Sequence, residues 1–217
     1  MDVSEPLGIV GVGKLGAAIG RLAQEAGREL WVSDRQDVPM LDLVVAAVLP
    51  GAHLVEIDAL LEATDLVVAA VPQPALADLP VERMGSRILV DATNAWAATD
   101  GDTARPHSTA DLLARNPHLR PVKSLNHLAY ADLTAQARQG DHGDRLALAV
   151  AGDDREARQQ VARLVSDVGF DAVEVGLADA WMLEPSGPLF GRHLTHHDLA
   201  AEMAAARQRG WWAEHDR

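Results

Sequence analysis

The stretch "LGIVGVGKLGAAIG", residues 7–20, constrains the fold more than any other part of the chain. A short strand-like run, Leu7–Val10, leads into Gly11, Gly13 and Gly16, and a helical pattern over Leu15–Ala26 follows, ended by Gly27. Each glycine has its own physical use. Gly11 permits a tight turn, Gly13 lets a pyrophosphate approach the backbone, and Gly16 lets the helix pack close to the strand. Free N–H groups along Gly11, Val12, Gly13, Lys14, Leu15 and Gly16 then face the phosphates at a helix start. Glycines that merely end a strand would look the same in isolation; strand, helix and a following acidic residue in this order are what the dinucleotide-binding reading requires.

That acidic residue is Asp34, eighteen positions past Gly16 and just beyond a second strand-like run, Glu29–Ser33. A carboxylate there accepts hydrogen bonds from the adenosine ribose hydroxyls and repels a 2′-phosphate, so Ser33-Asp34-Arg35 favours NAD over NADP. Arg35 keeps NADP open, because a guanidinium can pair with that phosphate or stack on adenine.

Beyond this point strand-like and helix-like runs alternate, which predicts a doubly wound, mostly parallel α/β sheet. "DLVVAAV" occurs twice, at 42–48 and 65–71. A continuous apolar run fits a buried helix or a buried strand equally well. The first copy is read as a helix, opened by Pro39 and stopped by "PG" at 50–51; the second as a strand, since Pro72 follows it and a helix over Ile57–Ala63 precedes it. Ile88–Val90 and "PVKSLNHL" read as further strands. Ser108 or Thr109 is expected to cap the next helix, with Asp111 completing a capping box. "QGDHGD" at 139–144 reads as a loop, and a strand, an amphipathic helix, a strand and a helical tail from His197 to Arg209 follow. Two lobes are expected: residues 1–121 as the dinucleotide-binding domain, and a smaller α/β lobe, 122–217, forming an acceptor pocket and dimer contacts.

A net charge of −13 argues against a nucleic-acid partner, which demands a basic face. With no cysteine there is no disulfide framework and no thiolate chemistry. The N-terminus lacks a signal-peptide pattern and no apolar run is long enough for a membrane span, so a cytoplasmic protein without a membrane partner is expected.

The segments "GIVGVGKLG", "DLVVAAVP", "ILVDATN", "STADLLARNPHLRPVKSLN", "VAGDDREARQQVARLVSDVGFDAVEVG" and "MLEPSGPLF" occur in this order. Together they resemble the NADP-dependent coenzyme F420 oxidoreductase family, itself similar to the nucleotide-binding domains of six-transmembrane ferric reductases. The resemblance runs from about Leu7 to Phe190. It implies hydride transfer between a nicotinamide dinucleotide and a deazaflavin or flavin acceptor, chemistry that the stacked cofactors carry and the protein orients. No catalytic acid or nucleophile is implied. By the same resemblance Val71 and Pro72 pack near the nicotinamide ribose, and Thr93 and Asn94 line the nicotinamide edge. Lys123, Asn126, His127 and Leu128 form the acceptor pocket. Family members usually carry a small hydroxyl or glycine–serine pair where Ser33-Asp34 stands here, and a threonine, often with a proline, where His127, Leu128 and Ala129 stand.

Two further features stand apart. His193 and His197 would share a face if they lay on one helix, but no cysteine or carboxylate cluster completes a set with His196, so no metal site is assigned. Trp211 and Trp212 near the C-terminus suggest a homodimer contact. The competing functions are a nucleotide-binding or sensing module without catalysis, and a small enzyme like the β-hydroxyacid dehydrogenases or imine reductases. The latter close their sites with a long helical C-terminal domain, whereas three strand-like runs are expected here.

Overall fold

The structure is a computed structural model and describes residues 5–35, 37–96, 101, 108–138 and 145–209. Strand β1 (Leu7–Val10) is buried throughout, and helix α1 (Lys14–Glu25) leaves it through the glycine turn. Ala17, Ala18, Ile19, Leu22 and Ala23 form the buried face of α1. Gly20 allows close approach, for a Cβ there would lie 2.7 Å from Leu49 Cδ2. The helix stops at Gly27, whose φ of +83° suits glycine, with Arg28 N–H returning to the Ala23 carbonyl at 2.9 Å.

The chain continues through β2 (Leu30–Ser33), α2 (Leu41–Val48), β3 (His53–Leu54), α3 (Ile57–Ala63) and β4 (Leu66–Ala69). Two 3-10 turns (Gln73–Asp78 and Val81–Arg83) lead to β5 (Ile88–Asp91), then α4 (Ser108–Arg115) and β6 (Arg120–Lys123). These six strands are parallel in the order β3-β2-β1-β4-β5-β6, so the order reverses beside β1. Open sheets of this kind bind ligands at the carboxyl ends of the strands flanking such a reversal.

After α5 (Tyr130–Gln136) come β7 (Ala147–Ala151), α6 (Arg155–Asp167), β8 (Asp171–Val175), a 3-10 stretch (Leu177–Leu183) and α7 (His196–Arg209). Strand β7 meets β6 antiparallel at Lys123↔Ala151, while β7 and β8 pair in parallel over five residues. Both partners of the β6–β7 pair are the last residues of their strands. The body of β7 therefore runs beside the segment leaving β6, and Ser124 Oγ donates to the Ala149 carbonyl at 2.7 Å.

The core forms on both faces of this sheet. Residues of α1, α2 and α6 cover one face, meeting Ile9, Val32, Val68, Val90 and Val150. On the other, α3, the 3-10 turns and α4 cover Val67, Ala69 and Leu89. Helix α7 and the last 3-10 stretch cover Ala147, Ala149 and Ala151. A partly buried Arg28–Asp167 ion pair at 2.6 Å fastens the entrance of β2 to the end of α6.

The doubly wound sheet is as expected, and the two copies of "DLVVAAV" adopt the two predicted states. The expected lobe boundary after residue 121 falls inside β6, where Pro121 pairs with Leu89 and Val122 with Val90. Helix α2 begins at Leu41, and Met40 (φ +53°) rather than Pro39 makes its entry turn. The loop at 139–144 and Trp211 and Trp212 lie outside the described residues. Among those described, no helix is long and apolar enough to cross a membrane.

Candidate dinucleotide site

Gly11 takes φ +95°, and a Cβ there would lie 2.7 Å from the Ala70 carbonyl oxygen just past β4, so only glycine fits the turn from β1 into α1. At Gly16 a Cβ would lie 2.0 Å from the Gly11 carbonyl oxygen, which makes the third glycine a packing requirement. Gly13 differs from both: φ is −73° and nothing lies within 4 Å of its would-be Cβ. Its lack of a side chain relieves no crowding inside the protein. The space it leaves faces the start of α1, whose N-cap is Gly13 itself, with no side-chain cap and no acidic residue in the first turn. An uncapped N-terminus with its positive dipole end open suits an anionic group. Val12 is buried, whereas Gly13 and Lys14 are exposed and Leu15 is half-buried.

Asp34 fixes the far side of this loop. Its Oδ2 accepts the Val12 N–H at 2.7 Å and its Oδ1 accepts the Arg35 N–H at 2.7 Å, while Gly11 N–H donates to the carbonyl of buried Ser33. The Arg35 guanidinium points elsewhere, toward Asp37 at 3.6 Å, with both side chains largely exposed.

At the next strand ends, Val71 is half-buried and Pro72 exposed. Thr93 is buried against Asp91, and Asn94 is half-buried. Asn94 and Asn126 are tied both ways: Asn94 Nδ2 donates to the Asn126 carbonyl at 2.9 Å, and Asn126 Nδ2 donates to Asn94 Oδ1 at 3.0 Å. Asn126 Nδ2 also donates to the Leu183 carbonyl, bringing the last 3-10 stretch to the same place. Leu125, buried, is held at φ +63°, an uncommon conformation for a branched residue and one that re-aims the chain between Ser124 and Asn126.

Beneath this surface lies a charged cluster that the sequence reading does not contain. Asp91 and Lys123 are register partners on β5 and β6. Lys123 Nζ lies 3.3 Å from Asp91 Oδ2 and 2.9 Å from Glu184 Oε1, and donates to the Thr93 carbonyl at 2.7 Å. Glu184 Oε2 accepts the Ala95 N–H at 3.0 Å. Asp91 also collects the Thr93 N–H and the hydroxyls of Thr93, Ser108 and Thr109. Ser108 and Thr109, expected at a helix cap, instead turn to this buried carboxylate. Burial alone would raise the Asp91 carboxyl; Lys123, Ser108 and Thr93 outweigh it and hold the carboxyl below its ordinary value. For Glu184 burial prevails over Lys123 and the Ala95 N–H, and its carboxyl is raised.

The four residues expected around an acceptor are all buried. Lys123, Asn126 and His127 are each 1% exposed and Leu128 is 3% exposed. They form the floor behind the strand ends, and Lys123 spends its charge on two carboxylates. Neither ring nitrogen of His127 makes a well-formed hydrogen bond; burial lowers its pKa to about 4, and a weaker interaction with the Ala147 backbone pulls the other way. The exposed rim carries other groups: Trp96 packs edge-on to Phe190 at 5.3 Å, and the Lys14 ammonium lies 5.5 Å from the Tyr130 ring centre. A cavity of about 310 Å³ lies farther along the α4 side, lined by Gln73, Leu76, Ser108 and Arg115 but by no residue of the glycine loop. His193 precedes α7 and pairs with Asp132, so it shares no helix face with His197. Among the described residues no group of three or more His, Cys, Asp or Glu side chains is placed to hold a metal.

The model of the family described as "NADP oxidoreductase coenzyme F420-dependent" matches residues 6–95. No curated protein matches the sequence. Among solved structures, a hypothetical protein of Sinorhizobium meliloti is 28% identical with a TM-score of 0.74, over 88% of this chain and 95% of that one. A protein of Arthrobacter sp. FB24, provisionally named an F420-dependent NADP reductase, is 21% identical with a TM-score of 0.68, over 97% and 94%. An imine reductase variant from Myxococcus stipitatus, solved with NAD+, is 17% identical with a TM-score of 0.60; this chain is covered over 97% but spans 61% of that one. The chain shares the Rossmann-like α/β fold of these proteins, and the segment similar to the coenzyme F420-dependent NADP oxidoreductase family, residues 6–95, holds β1 to β5 and the glycine loop.

Proposed function

We propose that the chain binds a nicotinamide dinucleotide across the carboxyl ends of β1, β4 and β5 and passes hydride between it and a flat flavin-like acceptor such as the deazaflavin coenzyme F420. The observation that carries the binding part is the contrast among the three glycines. Gly11 and Gly16 are required by internal contacts, whereas Gly13 borders open space at an uncapped helix start. The family match over residues 6–95 supports the oxidoreductase class.

When bound, the dinucleotide supplies the hydride chemistry itself. The protein's share is binding and orientation. Gly13 and the α1 N-terminus hold the phosphates, Val71 and Pro72 border the ribose, and Asn94, fixed by Asn126, offers a polar edge. No side chain of this set needs to act as acid or nucleophile, because hydride moves between two stacked rings.

The reading extends to the choice of dinucleotide: NAD(H) over NADP(H), against the habit of the family. Asp34 is anchored by two backbone N–H groups and cannot swing away without losing both. Ionised, it keeps acceptor capacity for ribose hydroxyls. Against a 2′-phosphate it stands as a like charge, worth about 4 kcal/mol at contact with an effective dielectric near 20. The exposed Arg35–Asp37 pair is of the kind that contributes at most about 1 kcal/mol, so Arg35 is the residue that could offset this repulsion.

One experiment tests both levels. Dissociation constants for NADH and NADPH are measured in wild type and Asp34→Ser, followed by a spectrophotometric screen of flavin and deazaflavin acceptors for loss of nicotinamide absorbance. Tighter NADH binding in wild type, gain of NADPH binding in the variant and turnover with one acceptor are expected. Tighter NADPH binding in wild type refutes the Asp34 reading. Binding without turnover favours the second reading, a nucleotide-binding module, to which the burial of Lys123, Asn126, His127 and Leu128 already lends weight.

A further inference from the structure

The cluster beneath the strand ends has unequal charge. With every group ionised, Asp91 and Glu184 set two negative charges against the single positive charge of Lys123, and the three side chains are 0%, 4% and 1% exposed. Asp91 is saturated as a carboxylate by the Thr93 N–H, three hydroxyls and Lys123. Glu184 has only Lys123 on Oε1 and the Ala95 N–H on Oε2. The excess negative charge, or the proton that cancels it, therefore resides on Glu184. Lys123 holds the Thr93 carbonyl and Glu184 holds the Ala95 N–H, so the cluster grips both ends of the three-residue segment whose middle residue is Asn94.

We propose that Glu184 is a positioning residue that couples the charge of this buried cluster to the oxidation state of the bound dinucleotide, ionised with the oxidised form and protonated more readily with the reduced form. The proposal rests on the dinucleotide reading above, which sets Thr93 and Asn94 at the nicotinamide edge. Loss of hydride leaves the nicotinamide ring with a positive charge, which a net negative cluster behind the segment favours; the neutral reduced ring gains nothing from it. Binding of the oxidised form to the protonated cluster releases one proton to solvent, and no bond to Glu184 forms or breaks beyond that O–H. The charged groups facing Glu184 are Lys123 from β6 and Asp91 from β5. Burial raises the Glu184 carboxyl above its ordinary value. Glu184 lies outside the family-matched segment, so the function of residues 6–95 would be tuned from the C-terminal part of the chain.

The test measures dissociation constants for NAD+ and NADH from pH 5.5 to 8.5 in wild type and in Glu184→Gln, with thermal unfolding as the control for folding. In wild type the preference for the oxidised form should grow with pH by roughly five- to tenfold, the scale of one buried unit charge. In Glu184→Gln, which keeps an acceptor oxygen but no charge, the preference should stay flat at the low-pH value. An unchanged pH profile in the variant, or a flat one in wild type, overturns the proposal. Calorimetry of wild type in two buffers of different ionisation enthalpy reads the same coupling without a variant: proton release should accompany NAD+ but not NADH, and equal release overturns it. If neither dinucleotide binds wild type, the dinucleotide reading fails and this proposal with it, an outcome distinct from binding with no pH-dependent preference.

Discussion

His127 makes a large and measurable demand on stability. The residue is 1% exposed, neither ring nitrogen makes a well-formed hydrogen bond, and burial lowers its pKa from 6.5 to about 4. The unfolded chain takes up this proton near 6.5 while the native state resists until about 4. As pH falls through that window the unfolded state binds more protons, and the stability present above 6.5 is progressively lost. At about 1.4 kcal/mol per pH unit the full effect is about 3 kcal/mol, and about 2.5 kcal/mol of it has gone by a pH near 4.5. That is a large part of the roughly 5–15 kcal/mol that holds a typical domain together.

His127→Leu removes the titrating ring at similar volume. Urea unfolding of both proteins at pH 7.5 and 4.5 gives two pH-dependent stability losses, and their difference isolates His127. Asp91, lowered, and Glu184, raised, are present in both proteins and cancel. Wild type should lose about 2.5 kcal/mol more than the variant over this interval. Parallel losses would mean that the ring is protonated in the native state at pH 4.5, and the account of it as a neutral buried side chain would be refuted.

The glycines should separate cleanly. Gly13→Val should fold with a loss of about 1 kcal/mol or less, from the weaker N-cap alone, yet abolish dinucleotide binding by calorimetry. Gly16→Ala, whose Cβ would lie 2.0 Å from the Gly11 carbonyl oxygen, should cost several-fold more stability by urea unfolding. Lys123→Met leaves Asp91 and Glu184 buried without their shared cation and should destabilise by about 3–5 kcal/mol; a loss under 1 kcal/mol would show that the cluster relaxes to admit water.

What could be read from the sequence depended on how far each constraint reaches along the chain. The glycine loop and its helix are local, and the structure gives the internal contacts that require Gly11 and Gly16 and the open space beside Gly13. The two copies of "DLVVAAV" carry no intrinsic preference strong enough to decide; flanking residues do, with Pro72 behind one and "PG" behind the other, and one became α2 while the other became β4. Ser108 and Thr109 show the limit of local reading. Their spacing to Asp111 fits a cap, but the carboxylate they meet is Asp91, seventeen and eighteen residues earlier. The cluster is harder still to see, since Glu184 reaches Ala95 across 89 residues. A lone charged residue in a sequence reads as surface, because an unpaired buried charge is too costly to expect. Only the register that sets Asp91 opposite Lys123, and the turn at Leu125 that admits Leu183 and Glu184 beside Asn126, makes burial of three charges affordable. The signal was present in "DATN", "VKSLN" and "LEP", each of which holds one member of the set. What those segments share is not a pattern within any of them but a point in space, and that point lies directly behind the strand ends where the chemistry would take place.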